Sequence, residues 1–431
     1  MNILLVNLHS FHNAGDAALT VEAIRQLKAS FPGSRITLVM NDAASYTGEE
    51  RVLESFINWF KVTHPDRTQS WRLWTFPWFG LHLLIVVLTY RLSGRRIFSF
   101  LPLARRELLE AYFDADVVVS CAGGFLYSSG RVGLTFLLSI LTMGLAVAFD
   151  KPLYILPQSI GSLKRGWERR LTKWITSRAR VVMVRERQSL EELNAIGLEP
   201  SHCYHFPDLA FGFEGVPKKE AMTWLRARGI FPGREHPLLG ITAINWGAQN
   251  INFTGQQRYE EALAVAARFF IEHYAGKVLL FSQVVGPTVD QDDRIPAKRV
   301  WEQMREIRNH VLLVEQPLPP DMLKTLFGVM DVFIGTRMHS LVFALSEGVP
   351  CLGIGYQFKS RGVAREIGWD PWVVEIQDVT GECLTDMLGD LWTMRNALRE
   401  SISQRLPQIA KEVKRAGEII AADYRAFKGG R

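Results

Sequence analysis

Between Val332 and Ser340 an apolar run, Val332-Phe333-Ile334-Gly335, passes directly into Thr336-Arg337-Met338-His339-Ser340. Such a run reads as a buried strand, and Ser340 as the start of the helix that follows. In open parallel sheets, ligands gather beyond the carboxyl ends of strands. Arg337 and His339 therefore fall beside a helix N-terminus, where an anion is favoured. A guanidinium with an imidazole can stabilise a departing phosphate and move a proton. The next run, Cys351–Tyr356, brings Lys359 to the same mouth, either as a second positive charge or as a solvated lysine.

Other strand ends carry weaker signals. Ile3–Leu8 is followed by His9-Ser10-Phe11-His12-Asn13-Ala14-Gly15-Asp16, in which Gly15 allows a tight loop and Asp16 can cap a helix. This is either a capped turn or a loop lining a cleft through Asn13 and Asp16. It lacks GxGxxG, which counts against a dinucleotide-dependent oxidoreductase. Gly123-Gly124 follows Val117–Cys121 and would let a ligand approach the backbone between a strand and a helix. Leu153–Pro157 leads into Gln158-Ser159-Ile160-Gly161, and the second half has a counterpart in Gln283-Val284-Val285-Gly286. Arg185 ends Val181–Arg185 and can hold a phosphate or carboxylate bidentately, or pair with Glu186 or Glu191. Asp290, Asp292 and Asp293 read as a loop that either meets ligand hydroxyls or simply faces solvent.

The elements that must position these residues follow one grammar. In the first half the strands are Ile3–Leu8, Arg35–Met40, Val117–Cys121, Leu153–Pro157 and Val181–Arg185, separated by helical patterns such as Asp16–Ser30 and Trp167–Ser177. The second half offers Leu238–Asn245, Val278–Gln283, Val311–Val314, Val332–Gly335 and Cys351–Tyr356 as strands, with helices over Tyr259–Tyr274, Asp321–Val329 and Ser340–Glu347. Strands apolar on both faces, alternating with helices, imply parallel βαβ units. The expected fold class is α/β, with two doubly wound Rossmann-like domains facing across a cleft. The expected domains are 1–213, with an apolar insert at about 71–96, then 236–400 carrying the donor site, and a C-terminal helix over 401–431.

Length and composition agree with this plan. At roughly 150 residues per domain, 431 residues suit two domains. Lys plus Arg is 50 against 44 for Asp plus Glu, a net charge of +6, too small a surplus for a nucleic-acid binder. Cys121, Cys203, Cys351 and Cys383 form no CxxC pair and read as reduced thiols. The N-terminus has no basic leader and reads as a strand, so a cytoplasmic placement is expected. Two stretches, Leu73–Tyr90 and Val132–Phe149, each run 18 residues without a formal charge. The second reads as a buried helix. The first carries Pro77, Gly80 and His82 among tryptophans and flanking arginines, which suits a segment lying on the inner face of a membrane, with a partner surface, a core helix or a spanning helix as the alternatives.

Taken in order, the segments resemble the polysaccharide pyruvyl transferase family. They are Asn13-x-Gly15-Asp16, Gly123-Gly124, Gln158-Ser159-Ile160-Gly161, Arg185-Glu186-x-x-Ser189, Pro207-Asp208-x-Ala210-Phe211, Gln283-x-x-Gly286-Pro287, Gly335-Thr336-Arg337-Met338-His339-Ser340, Gly348-Val349-Pro350 and Tyr356-x-x-Lys359. The resemblance implies an architecture similar to the GT-B glycosyltransferases. It also implies transfer of the enolpyruvyl unit of phosphoenolpyruvate onto two hydroxyls of one sugar, in a cell-surface polysaccharide or its lipid-linked precursor, giving a cyclic pyruvate ketal. By position, Arg337 and Arg185 would hold the donor, with Met338, Ser340 and Lys359 beside them, and His339 would be the acid/base. Asn13, Asp16, Gly123, Gly124, Gln158, Asp208 and Gln283 would line the cleft or meet the acceptor. The chemistry requires no metal and no cofactor beyond phosphoenolpyruvate as co-substrate. Ala122 stands where the family often has a third glycine, and the insert at 71–96 lies outside the pattern. Two other readings stand beside this one: a GT-B nucleotide-sugar glycosyltransferase, and a non-catalytic glycan-assembly protein.

Overall fold

Runs of Val, Ile and Leu that bury both faces belong inside a sheet rather than on one side of it. In the computed structural model every residue of Val117–Ser120 and of Leu238–Thr242 is buried, and all the named strand pairs are parallel. The structure describes all residues except 58–68, 129–132, 199–201, 232, 234, 235, 251, 357 and 431; side chains are also left out at 69–76, 134, 358 and 359.

The chain forms two units. The first comprises Met1–Phe11, Ala23–Phe206 and Arg415–Arg431; the second comprises His12–Glu22 and Pro207–Lys414. The boundaries differ from a simple division in chain order. Residues 12–22 and 207–213 group with the second unit, and the last helix, Gly381–Gly429, begins well before 401.

The first unit holds β1 (Asn2–Leu8), β2 (Arg35–Met40), β3 (Arg51–Glu54), β4 (Val117–Ser120), β5 (Gly123–Tyr127), β6 (Leu153–Gly161), β7 (Val181–Val184) and β8 (Cys203–His205). Their order is β3-β2-β1-β4-β6-β7-β8, with β5 on β6. The second holds β9 (Leu238–Thr242), β10 (Lys277–Phe281), β11 (Val311–Leu313), β12 (Val332–Gly335), β13 (Cys351–Gly355) and β14 (Val373–Glu375), in the order β11-β10-β9-β12-β13-β14. Each sheet reverses direction of growth beside its first strand, between β1 and β4 and between β9 and β12. Doubly wound sheets bind ligands outside such a switch point.

Gly123-Gly124 departs from expectation. The pair opens a strand, not a strand-to-helix turn. β6 runs nine residues instead of stopping at Pro157, and its extension needs a partner, which β5 supplies by pairing Gly123 with Gln158 and Leu126 with Ile160. The β6–β7 ladder shifts register between Ile155 and Gln158, around Pro157, which has no N–H to give. Leu134–Ala148 is a helix within the first unit's hydrophobic core, as expected for the second apolar stretch.

The end of the last helix is tied into the first unit by charge. Asp423 accepts hydrogen bonds from Arg180 Nη2 at 2.9 Å and from the Tyr154 hydroxyl at 2.7 Å. Burial alone would raise the Asp423 pKa, but these two donors hold the carboxylate and the balance lies below the ordinary value. A depressed carboxylate contributes only while ionised. Asp423→Asn is therefore expected to lower the melting temperature by about 2–4 °C at neutral pH. The gap should close as the pH falls below ~4 and through the folded-state pKa, a dependence that melting curves across pH would check.

Candidate active site

In the second unit the expected cluster forms at the carboxyl ends of β9, β10 and β12. Gly335 ends β12, and Arg337 leads into the helix Met338–Ser346. Arg337 is oriented by Asp293. Its Nη2 lies 2.6 Å from one carboxylate oxygen, and its Nε lies 3.2 Å from each oxygen. Asp293 is fully buried and also accepts Val284 N at 2.9 Å. Burial pushes the Asp293 pKa up against the pull of Arg337. Burial likewise opposes the Arg337 charge, but Asp293 and Tyr356 more than offset it, so the guanidinium stays protonated. Asp293 thus belongs to the site instead of facing solvent. Asp290 of the same loop is exposed, as expected, and the partly buried Asp292 pairs with Arg294.

His339 sits between two elements. Its Nε2 lies 3.8 Å from Oδ2 of Asp208, whose side chain is fully buried and whose Oδ1 accepts Ala210 N at 2.8 Å. On its other side is Gly15, where any Cβ would collide with the imidazole ring. The Asn13-x-Gly15-Asp16 loop is built for this approach. Asn13 Oδ1 accepts Gly15 N at 3.0 Å, and Asn13 Nδ2 donates to Asp16 at 2.8 Å. Ala14 N donates to Gln283 O at 3.0 Å, and Val285 N to His12 O at 2.8 Å, fixing the loop to the end of β10. Gly15→Ala is expected to displace His339 and lower kcat by about tenfold to a hundredfold, with donor binding retained. Steady-state kinetics beside donor titration would check this split.

Ser340 and Gln283 take internal roles. Both are buried, the Ser340 hydroxyl donates to the Gln283 side chain, and Thr242 Oγ1 donates to Ser340 at 2.9 Å. Thr336 continues the network to Thr242 O at 3.0 Å and to the Tyr259 hydroxyl at 2.6 Å. Met338 is buried beside them. The side chain of Lys359 lies outside the described residues. Tyr356, which helps hold the Arg337 charge, also lines a cavity of about 560 Å³ with Trp246, Asn250, Asn252, Arg258 and Glu375. That volume suits a small ligand, with aromatic walls and convergent polar groups.

In the first unit, Gly123, Gly124, Gln158 and Arg185 gather near the carboxyl ends of β4, β6 and β7. Gln158 is fully buried and braces the Cys121 carbonyl through Nε2. The paired Gln motifs thus do parallel work, each bracing a neighbouring segment through its side chain. Arg185 is 2% exposed, donates to Ser159 Oγ at 2.6 Å and lies 3.6 Å from Glu186. Glu186 in turn accepts from Ser159 and from Ser189, so Arg185-Glu186-x-x-Ser189 acts as an internal brace. Asn7, which sequence reasoning missed, adopts φ 62° at the end of β1 and donates to Ser120 Oγ at 3.0 Å across the switch point. Asn tolerates this left-handed conformation better than most residues, and such strained positions cluster at functional sites. Among the described residues, no group of acids, histidines and cysteines could hold a metal ion.

Comparison with known proteins fits the ordered motifs. The polysaccharide pyruvyl transferase profile matches residues 13–357, which include Asp208, Asp293, Arg337 and His339. The amylovoran biosynthesis protein AmsJ of Erwinia amylovora is 23% identical, with 98% of this chain and 99% of that protein aligned. Among solved structures, a putative UDP-N-acetylglucosamine 2-epimerase from Listeria monocytogenes superposes with a TM-score of 0.58 at 11% identity, covering 100% of this chain and 97% of that one. HepE from Anabaena, in complex with UDP and glucose, gives 0.55 at 12% identity, covering 99% and 100%. These likenesses establish the fold as GT-B-like. Because the match spans most of the chain and takes in the Arg337–His339 segment with both of its buried carboxylates, the chain belongs to the polysaccharide pyruvyl transferase family.

Proposed function

We propose that the protein transfers the enolpyruvyl group of phosphoenolpyruvate onto two hydroxyls of one sugar, forming a pyruvate ketal. The observation that carries this reading is the pair Arg337 and His339 at the end of one strand, each set by its own buried carboxylate. Phosphoenolpyruvate is trianionic at its full charge, and its activation requires a proton at carbon with stabilisation of a leaving phosphate. In this mechanism the donor's methylene carbon takes a proton and becomes a methyl group, leaving an oxocarbenium-like neighbour. One sugar hydroxyl attacks that carbon and loses its proton, and the C–O bond to phosphate breaks. The second hydroxyl then closes the ketal and loses its proton. Of the two hydroxyl protons, one balances the proton gained by carbon and the other leaves with phosphate.

His339 is the proton carrier in this scheme and Arg337 the anchor for donor charge. We assign the donor to Arg337 and not to Arg185, because Arg185 is 2% exposed and engaged with Ser159 and Glu186. The cavity beside Tyr356, with its aromatic and amide lining, suits a sugar acceptor. AmsJ is named for amylovoran biosynthesis, and we infer for this chain an acceptor within an exopolysaccharide or its lipid-linked precursor. Phosphoenolpyruvate is a cytosolic metabolite, so the reaction fits the cytoplasmic side of the membrane. The test is phosphate release from phosphoenolpyruvate with saccharides extracted from the producing cell, together with mass spectrometry of the sugar. Phosphate release coupled to a gain of one pyruvyl ketal supports the reading. Transfer of a glycosyl unit from a nucleotide sugar would overturn it.

A further inference from the structure

The helix Gln69–Ser93 is apolar on two opposite faces. Its inner face is Phe79, Leu83, Val86 and Tyr90, spaced three and four residues apart and packed into the first unit's core. Phe79 meets Phe56 at 5.7 Å between ring centroids, and Tyr90 meets Phe113 at 5.0 Å and Phe149 at 5.5 Å. The outer face is Trp78, Leu81, Leu84, Ile85, Leu88 and Leu92, with exposures from 42% to 85%, and it continues beyond the helix through Ile97, Phe100 and Leu103. Nine of the seventeen exposed large hydrophobics among the described residues fall between Trp78 and Leu103. Scattered apolar residues need no explanation, but a concentration of this kind marks an interaction surface.

Charge identifies the occupant. Residues 69–106 contain six arginines, Arg72, Arg91, Arg95, Arg96, Arg105 and Arg106, and no Asp or Glu. Arg91 and Arg96 each meet one surface carboxylate, Asp150 at 3.0 Å and Asp114 at 2.8 Å. Pairs this exposed contribute little, and both guanidinium groups can turn to phosphate instead. The inner face is fastened to the core, and no helix among the described residues is long and apolar enough to cross a membrane. An apolar stripe beside arginines, on a helix held along the protein surface, matches the chemistry of an anionic bilayer interface.

We propose that the outer face of this helix, with Ile97, Phe100 and Leu103, seats the protein on an anionic lipid surface. The apolar side chains enter the headgroup boundary, and Arg91, Arg95 and Arg96 meet lipid phosphates. The proposal is independent of the donor chemistry, since none of these residues belongs to the site described above. The test is co-sedimentation of the full chain with vesicles of phosphatidylcholine alone and of phosphatidylcholine mixed with phosphatidylglycerol. The wild type is expected to bind the anionic vesicles at least about tenfold more tightly, with affinity falling as salt rises. Leu84→Glu with Leu88→Glu is expected to lose at least about tenfold of that binding with unchanged circular dichroism, because both positions are already exposed. Arg95→Ser with Arg96→Ser should erase the preference for anionic lipid without touching the apolar face. Failure of the wild type to bind anionic vesicles would overturn the proposal, as would undiminished binding by the Leu84/Leu88 variant. A dimer in solution that this variant splits, with no lipid binding, would assign the face to a second copy of the chain and overturn it equally.

Discussion

Arg337→Ala is expected to lower kcat/KM for pyruvyl transfer by about a thousandfold and to remove measurable phosphoenolpyruvate binding. Loss of one charged group that meets a developing or departing anion typically costs this much. The same substitution should also destabilise the protein, by about 3–5 kcal/mol, because it leaves the fully buried Asp293 carboxylate without its counter-charge. These effects can be separated. Burial already raises the Asp293 pKa, and removing Arg337 raises it further. A carboxylate with a raised folded-state pKa is tolerated while protonated and costs stability as pH rises through that pKa. The stability gap between wild type and Arg337→Ala should therefore narrow as the pH is lowered towards ~4. Adding Asp293→Asn should recover most of the stability at neutral pH and none of the activity. Melting curves across pH, paired with phosphate-release kinetics, check both halves. Recovery of activity by the double variant would mean that Arg337 serves only to neutralise Asp293.

His339→Gln should give the opposite split. General acid–base catalysis contributes about a hundredfold to ten-thousandfold, so kcat is expected to fall within that range while phosphoenolpyruvate still binds. Asp208 keeps its hydrogen bond from Ala210 in the variant, so the local fold has a partner for that carboxylate without the imidazole. Single-turnover kinetics would separate the chemical step from donor binding. A variant that loses donor affinity but turns over normally when saturated would place His339 among the anchoring groups and leave the proton transfer to another residue.

The strand-to-site segment was legible because its pattern is local. Val332–Gly335 is four apolar residues ending at Thr336, and the strand ends there. Arg35–Met40 also agrees residue for residue with expectation. What escaped the sequence depends on residues far apart in the chain. Asp293 looks like one of three loop acids, and only folding brings Val284 N and the Arg337 guanidinium to it. The role of Gly15 depends on the His339 ring, and no local rule shows that a Cβ there has no room. β5 was hidden because a Gly-Gly pair reads as a turn, and its pairing partner exists only because β6 continues through Pro157. The inner and outer faces of Gln69–Ser93 could not be told apart in sequence, since both are apolar and only packing selects Phe79, Leu83 and Val86 for the core.

Isothermal titration of the purified protein with phosphoenolpyruvate, beside Arg337→Ala with Asp293→Asn and His339→Gln, tests the central claim most directly. Saturable binding by the wild type is expected, with its loss in the Arg337/Asp293 double variant despite a restored fold and its retention by His339→Gln. No binding of phosphoenolpyruvate to the wild type, with a UDP-sugar bound in its place, would contradict it.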